Sequence, residues 1–391
     1  MSVIKYKNIY FSQESNSVKA QFMKYFYFNM KNRDLERISR FTAKRGALHF
    51  TRDKAEGKFS FILEKGFDNM RTIYHKPATY IHMNSGIPLI GSNEFGIVDR
   101  GTNFIELKPI TLCNLKCVFC SVDQDRRIRD FVVEADYLIQ ELIGVVKAKK
   151  NAVGIHIGGQ GEPTMYSDLL RLVRHLGKMR KVNSISLNTN GILLDKRRID
   201  ALVRRGLTHF HISLNAFTQG KADELAGCRY PLKKVKRLCE YISKKSRLVI
   251  VPVWVPSMND QDIEKIITFS KKIKADIGIQ NYFSYKFGKK PVNALPMKVF
   301  LQRLRQLEEK HNVELMKVSE ELKIIEDTAL DKPFRKGQII EAEIKGDARL
   351  PNTKIGVSQD RVITVTNCRK KGKVKAKIVR DKDNIFTGIA V

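Results

Sequence analysis

"TLCNLKCVFC", residues 111–120, sets Cys113, Cys117 and Cys120 at a C-x3-C-x2-C spacing directly behind the β-rich run "NFIELKPI" (103–110). Four chemistries compete for such a cluster. A structural zinc site asks for four ligands, usually as two close pairs. Here no further Cys or His lies within a dozen residues on either side. A thioredoxin-type pair needs only "CVFC" and leaves Cys113 without a role. Buried thiols suit a core better than a loop. A [4Fe–4S] cluster on three thiolates keeps one iron open, and an open metal position is where reactions occur.

The chain around the loop alternates. Short β-rich runs at 103–110, 153–159, 184–189, 209–216, 247–255 and 276–282 are separated by helical patterns at 134–149, 167–179, 195–205, 231–244 and 260–273. Right-handed crossovers of this kind build a parallel sheet. Six units fall short of an eightfold barrel, so the expected fold class is α/β, with an open, partial (β/α)6 barrel. In that geometry chemistry gathers at the carboxyl ends of the strands, which is where the cysteine loop stands.

The flanks read differently. Residues 1–100 read as an α+β region with a turn at "GSNEFG" (91–96) and an aromatic stretch around Phe22, Tyr25, Phe26 and Tyr27, read as core ahead of the alternative, a substrate cap. The expected layout is this region, the α/β unit over 101–315, a polar connector over 316–331, and short alternating strands over 332–391. Those last strands suggest a small closed β-barrel of the OB type.

Charge is the loudest bulk property. Seventy-two Lys and Arg against 41 Asp and Glu leave +31, more than a solvated surface with matched Glu would carry. Such a surplus points to polyanions, nucleic acid above all. No apolar run reaches the roughly 18 residues of a membrane span, and the N-terminus has no apolar signal segment, so a cytoplasmic location and no membrane partner are expected. Six cysteines make no disulfide framework.

The cysteine spacing behind a first strand resembles the radical S-adenosylmethionine (radical SAM) superfamily, over roughly residues 100–290. The resemblance implies a [4Fe–4S] cluster on Cys113, Cys117 and Cys120 whose open iron takes S-adenosylmethionine (SAM). "GGQGEP" (158–163) looks like a variant of the family's glycine-rich element, which implies SAM contacts from Gly158, Gly159, Gly161 and Glu162. Thr189 and Asn190 in "SLNTNG", Ser213 and Asn215 in "HISLNA", Phe119 before the third cysteine and Asn281 in "IQNY" match further contact positions. Each of these polar residues taken alone reads equally well as a strand-end cap.

Residues 332–391 resemble a TRAM domain, the small RNA-binding barrel of several RNA-modifying enzymes, a combination of archaeal type. This segment carries 15 Lys and Arg against 6 Asp and Glu. Lys373, Lys375 and Lys377 would share one strand face and, with Arg369, Lys370 and Lys371, are expected to meet RNA phosphates; the competing reading is an edge strand guarded by lysines.

Residues 1–100 hold no cysteine, which excludes the second cluster of the methylthiotransferases, and only Cys368 lies behind the α/β unit, too few for an auxiliary cluster. Cys228 and Cys368 are the catalytic candidates of a two-cysteine methylation mechanism, with small packing residues as the plainer reading; Cys239 sits at apolar helical spacing and reads as core. The expectation is a radical SAM enzyme modifying a structured RNA, tRNA first and rRNA second, with an electron donor such as a ferredoxin or flavodoxin. The alternatives are a protein, peptide or small metabolite as substrate, or an RNA-binding iron–sulfur redox sensor.

Overall fold

A computed structural model describes residues 1–316 and 324–391; part of the expected connector, 317–323, lies outside the described residues. Its centre is a seven-stranded sheet of β1 (Gly96–Asp99), β2 (Phe104–Lys108), β3 (Val153–Ile157), β4 (Val182–Thr189), β5 (His209–Ile212), β6 (Arg247–Ile250) and β7 (Asp276–Ile277). The spatial order is the chain order, and β2 to β7 run parallel while β1 pairs antiparallel with β2. Strands that always step the same way curl towards a barrel, whereas a doubly wound sheet reverses at a switch point. The six parallel strands anticipated from periodicity are therefore present, with one antiparallel edge added.

Helices α1 (Ala135–Ala148), α2 (Leu169–Leu176), α3 (Lys196–Val203), α4 (Gln219–Ala226), α5 (Leu232–Ile242) and α6 (Asp260–Ile273) fill the crossovers, and α7 (Met297–His311) follows the sheet. Helix α4 was not anticipated, because eight residues with three charges carry a weak apolar period. The last two strand runs are shorter than expected. Pro252 lacks an N–H and ends the ladder of β6. The chain resumes at Val253–Trp254, which pairs in parallel with Gln280–Asn281 as a separate ribbon.

Register sorts the sheet's two faces. Leu107, Ile157, Leu187, Phe210 and Leu248 lie side by side and join the helices in one buried core. The other face carries Glu106, His156, Ser186 and His209 in one row. Its imidazoles are crowded: His156 and His211 stand 5.4 Å apart, and Phe104 stacks on His156 at 5.8 Å. Burial pushes His156 down to about 4 and His211 down to about 3. Both are therefore neutral when folded, while an unfolded histidine takes a proton below about 6.5. The unfolded chain binds more protons in that window, so stability falls as pH drops from about 6.5 towards 4. Denaturant titration is expected to show about 2 kcal/mol lost through His156 between pH 7 and pH 5, and His156→Phe to flatten the dependence by that amount.

The N-terminal region contains a four-stranded sheet (Ile9–Gln13, Ser17–Phe22, Phe26–Lys31, Arg71–Thr72) and a three-stranded one (Ser2–Ile4, Phe41–Lys44, Ala47–Phe50). Phe22 and Phe26 are buried, and Tyr25 and Tyr27 are half-buried. A parallel pairing of Ala78–Ile81 with Asp130–Val133 stitches this region to the end of the cysteine loop. At the other end, β8 (Ile339–Asp347), β9 (Thr353–Ser358), β10 (Arg361–Thr366), β11 (Gly372–Arg380) and β12 (Phe386–Ala390) close a five-stranded barrel. Its own core holds Phe334, Ile363, Val365, Ala376 and Phe386. The barrel seats on the turn at residues 90–91, where Val362 N–H donates to Ile90 O and Phe386 N–H to Gly91 O, both at 2.9 Å. Gly91 has φ +118°, and a Cβ there would stand 2.2 Å from Val362 O, so only glycine permits this approach.

Candidate functional site

The loop that leaves β2 is held by backbone on three sides. Lys116 N–H donates to Ala226 O (3.1 Å) and Val118 N–H to Leu225 O (3.0 Å), which docks the loop on the end of α4. Glu162 N–H donates to Leu112 O (2.9 Å), and Lys289 N–H to Cys120 O (3.0 Å). At each contact a glycine makes room. A Cβ on Gly161 would meet the Thr111 carbonyl carbon at 2.5 Å, one on Gly227 Lys116 O at 2.3 Å, and one on Gly288 Cys120 O at 2.8 Å.

Gly227 also has φ +66° as the residue that ends α4. Gly227→Ala therefore combines left-handed backbone strain with a collision against backbone that has no freedom to give. We expect a loss of more than about 2 kcal/mol in stability together with reduced iron content, measured by denaturation and iron assay.

Cys113, Cys117 and Cys120 are partly exposed at this loop. Burial, then the Glu162 carboxylate, pushes the Cys113 thiol well up. Burial and the neighbouring Cys120 push Cys117 up to about 12, and burial raises Cys120. Bare thiols here hold their protons, so metal loading must release them. Among the described residues no three Cys, His, Asp or Glu side chains converge on one ion.

The glycine-rich turn lies beside them. Gly158 N–H donates to Leu107 O (3.0 Å), and Gly159 takes φ +124°. Buried Glu162 is a hub: one carboxylate oxygen accepts from Thr164 N–H (2.9 Å), Thr164 O–H (2.5 Å) and Thr189 O–H (2.6 Å), the other from Asn190 N–H (2.9 Å). It fastens the glycine turn to the end of β4. Asn190 in turn donates to Asn114 Oδ1 (2.8 Å), inside the cysteine loop. Ser213 O–H donates to Asn188 Oδ1 (3.3 Å), and Asn215 Oδ1 accepts from Val253 N–H (2.9 Å). Phe119 is partly buried. Asn281 is buried, donates to Leu295 O (3.0 Å), and keeps a buried Oδ1 without a partner, an acceptor left over for a ligand. The three thiols, the glycines of the turn and this orphan acceptor fit an iron–sulfur cluster with an amino-acid-bearing cofactor.

Cys228 is exposed and, with Cys120, contributes to the raised Cys117 thiol, so it borders the cluster loop. Cys368 instead packs inside the C-terminal barrel with Val365 and Phe386, and Cys239 is buried in α5. On β11 the side chains alternate as expected: Lys373, Lys375 and Lys377 are exposed between buried Val374, Ala376 and Ile378. Across the ladder Lys373 faces Glu343 and Lys375 faces Glu341, and Lys373 pairs with Glu341 at 3.1 Å, so the row is partly neutralised. Arg369, Lys370 and Lys371 are exposed in the preceding loop.

One residue that sequence reasoning passed over joins the barrel to this site. Arg349, between β8 and β9, is fully buried. Its guanidinium donates to Gln160 Oε1 (2.9 Å), Gln124 Oε1 (3.0 Å), Asp130 Oδ1 (2.9 Å), Thr111 O (3.4 Å) and Arg129 O (3.3 Å). The Gln160 that makes the glycine element a variant is thus a receptor for an arginine from the barrel. No local pattern announces such a contact.

Residues 107–270 match the family model described as "Radical SAM superfamily". An uncharacterized protein of Methanocaldococcus jannaschii is 33% identical over 359 residues, covering 82% of this chain and 82% of that one. The GTP 3',8-cyclase of Listeria monocytogenes is 27% identical over 194 residues, 47% of this chain and 55% of the cyclase, so the likeness spans about half of that relative. The structure of Streptococcus suis SuiB bound to S-adenosylmethionine aligns with a TM-score of 0.43 and 16% identity, over 78% of this chain and 68% of that one.

Proposed function

Because the chain belongs to the radical SAM superfamily, we propose that it is an enzyme that modifies a structured RNA, tRNA first. Its cofactors are a [4Fe–4S] cluster and SAM; when bound, they supply one-electron cleavage of a sulfur–carbon bond and thereby a hydrogen-abstracting radical. In this reading Cys113, Cys117 and Cys120 hold the cluster. The glycine turn at Gly158, Gly159 and Gly161 admits the methionyl end of SAM, with Ser213, Asn215 and Asn281 as polar partners and Phe119 against the adenine. Glu162 works by fixing the turn against Thr189 and Asn190.

The observation that carries the RNA reading is the barrel's mode of attachment. A closed five-stranded barrel with exposed lysines on one strand is locked by Arg349 to the loop that bears the cysteines. A polyanion gripped there, or by Arg369, Lys370 and Lys371, is carried to the mouth in a fixed orientation. The surplus of +31 supports the same partner. A reductant such as a ferredoxin or flavodoxin is required, and we assign the reaction to the cytoplasm.

The test is to digest bulk tRNA and rRNA from cells with and without this gene and compare nucleoside masses. A missing modified nucleoside with its precursor accumulating is expected, and the mass difference names the reaction. Unchanged nucleosides would overturn the RNA reading. A small nucleotide substrate, suggested by the partial likeness to GTP 3',8-cyclase, would then take its place.

A further inference from the structure

Directly behind the Gln280–Asn281 strand runs "FSYKFGKK", residues 283–290, with three aromatic rings, three lysines and no acid. The rings are on the outside: Phe283 is 45% exposed, Tyr285 52% and Phe287 38%. Of the 21 phenylalanines, the only other one so exposed among the described residues is Phe61. Phe283 and Tyr285 stand edge to face at 6.1 Å, and the Lys286 ammonium lies 5.2 Å over the Phe287 ring.

The segment is anchored. Tyr282 is buried and its hydroxyl donates to Lys289 O (2.9 Å); Gly288 N–H returns to Tyr285 O (3.2 Å). Two further bonds clamp it to the cysteine loop, Lys289 N–H to Cys120 O (3.0 Å) and Asp123 N–H to Phe287 O (3.3 Å). Lys289 faces Asp125 at 3.4 Å, whereas Lys286 and Lys290 make no ion pair among the described residues. Exposed rings thus stand on a fixed base at the rim of the cluster loop, interleaved with unneutralised cations.

We propose that residues 283–290 are a stacking platform for unpaired bases of the substrate RNA, with Phe283 and Tyr285 receiving the bases and Lys286 and Lys290 the flanking phosphates. The proposal rests on the RNA reading above. Aromatic faces accept any base, and charge complementarity selects a polyanion. A duplex buries its bases in the stack, so such a platform serves splayed loop nucleotides. The barrel lysines, faced by Glu341 and Glu343, offer charge without rings; this loop offers both, beside Cys120.

Fluorescence anisotropy of the cluster-loaded protein tests the assignment, using a 12-nucleotide single-stranded RNA and a 12-base-pair RNA duplex as probes. Phe283→Ala/Tyr285→Ala is expected to weaken single-strand binding at least about 30-fold, with duplex affinity within threefold and the salt slope unchanged. Lys286→Ala/Lys290→Ala is expected to lower the single-strand salt slope by about 1.4. Iron content and substrate-free SAM cleavage should stay at wild-type levels in both, which confirms folding. Wild-type single-strand affinity in the aromatic variant overturns the platform and leaves the RNA reading standing. A wild-type protein that binds neither probe overturns both. A wild-type dimer that the aromatic variant dissolves overturns the platform by giving the rings to a second copy of the chain.

Discussion

Cys117→Ala is expected to remove the iron–sulfur cluster and to lower 5'-deoxyadenosine formation from SAM at least about 1,000-fold, because a four-iron cluster held by three thiolates has none to spare. The readouts are iron and sulfide content, the electron paramagnetic resonance signal of the reduced protein, and the deoxyadenosine yield. Cys117 is the informative choice among the three. It lies between the anchor points Lys116 and Val118, whose amides bond to Ala226 and Leu225, so the loop keeps its course when the thiol is gone. Cys228→Ala, by contrast, should retain the cluster and substrate-free SAM cleavage within about twofold. Iron and deoxyadenosine persisting in Cys117→Ala would remove this cysteine from the cluster.

Arg349→Met is expected to cost about 3–5 kcal/mol, since it strips the partner from Asp130, whose side chain is only 3% exposed. Asp130 would keep Thr111 O–H at 2.9 Å as a donor but lose its counter-charge. Gln160 and Gln124 would lose their donors too, and Thr111, Gln124 and Gln160 belong to the cysteine loop and the glycine turn. The damage should therefore register in iron content and SAM affinity as well as in the denaturation midpoint. Adding Asp130→Asn to Arg349→Met removes the orphan charge and should recover part of the lost stability. A single variant with wild-type stability and iron content would show that the barrel merely rests on the site.

These two positions also mark how far the sequence could be read. The cysteine trio was legible because Cys113, Cys117 and Cys120 sit on one short loop, where spacing and chemistry are local. The six parallel strands were legible for a like reason, since burial on one face and helices between leave a period in the chain. Arg349 was not, because its partners at 111, 124, 130 and 160 are more than 180 residues away in sequence. Gly227 and Gly288 were missed on the same ground: a glycine needed for close approach looks like any other until its neighbour is known. The lysine alternation on β11 could be written down in advance, but the glutamates opposite could not, because register between strands is set by turns and packing. The weak period of α4 and the proline-broken end of β6 were local effects that a closer reading of Pro252 would have caught in part.

The buried arginine between barrel and cysteine loop has a consequence for how this gene can change. A tail that ended at a flexible linker could be gained, lost or exchanged by recombination with little penalty. This one takes the donor from a carboxylate and two glutamine amides when it departs. Asp130, Gln124 and Gln160 on one side and Arg349 on the other should therefore be inherited as a set. Among related genes, those without the barrel should carry something other than glutamine at the position of Gln160, and a chimaera that borrows the tail alone should fail to fold.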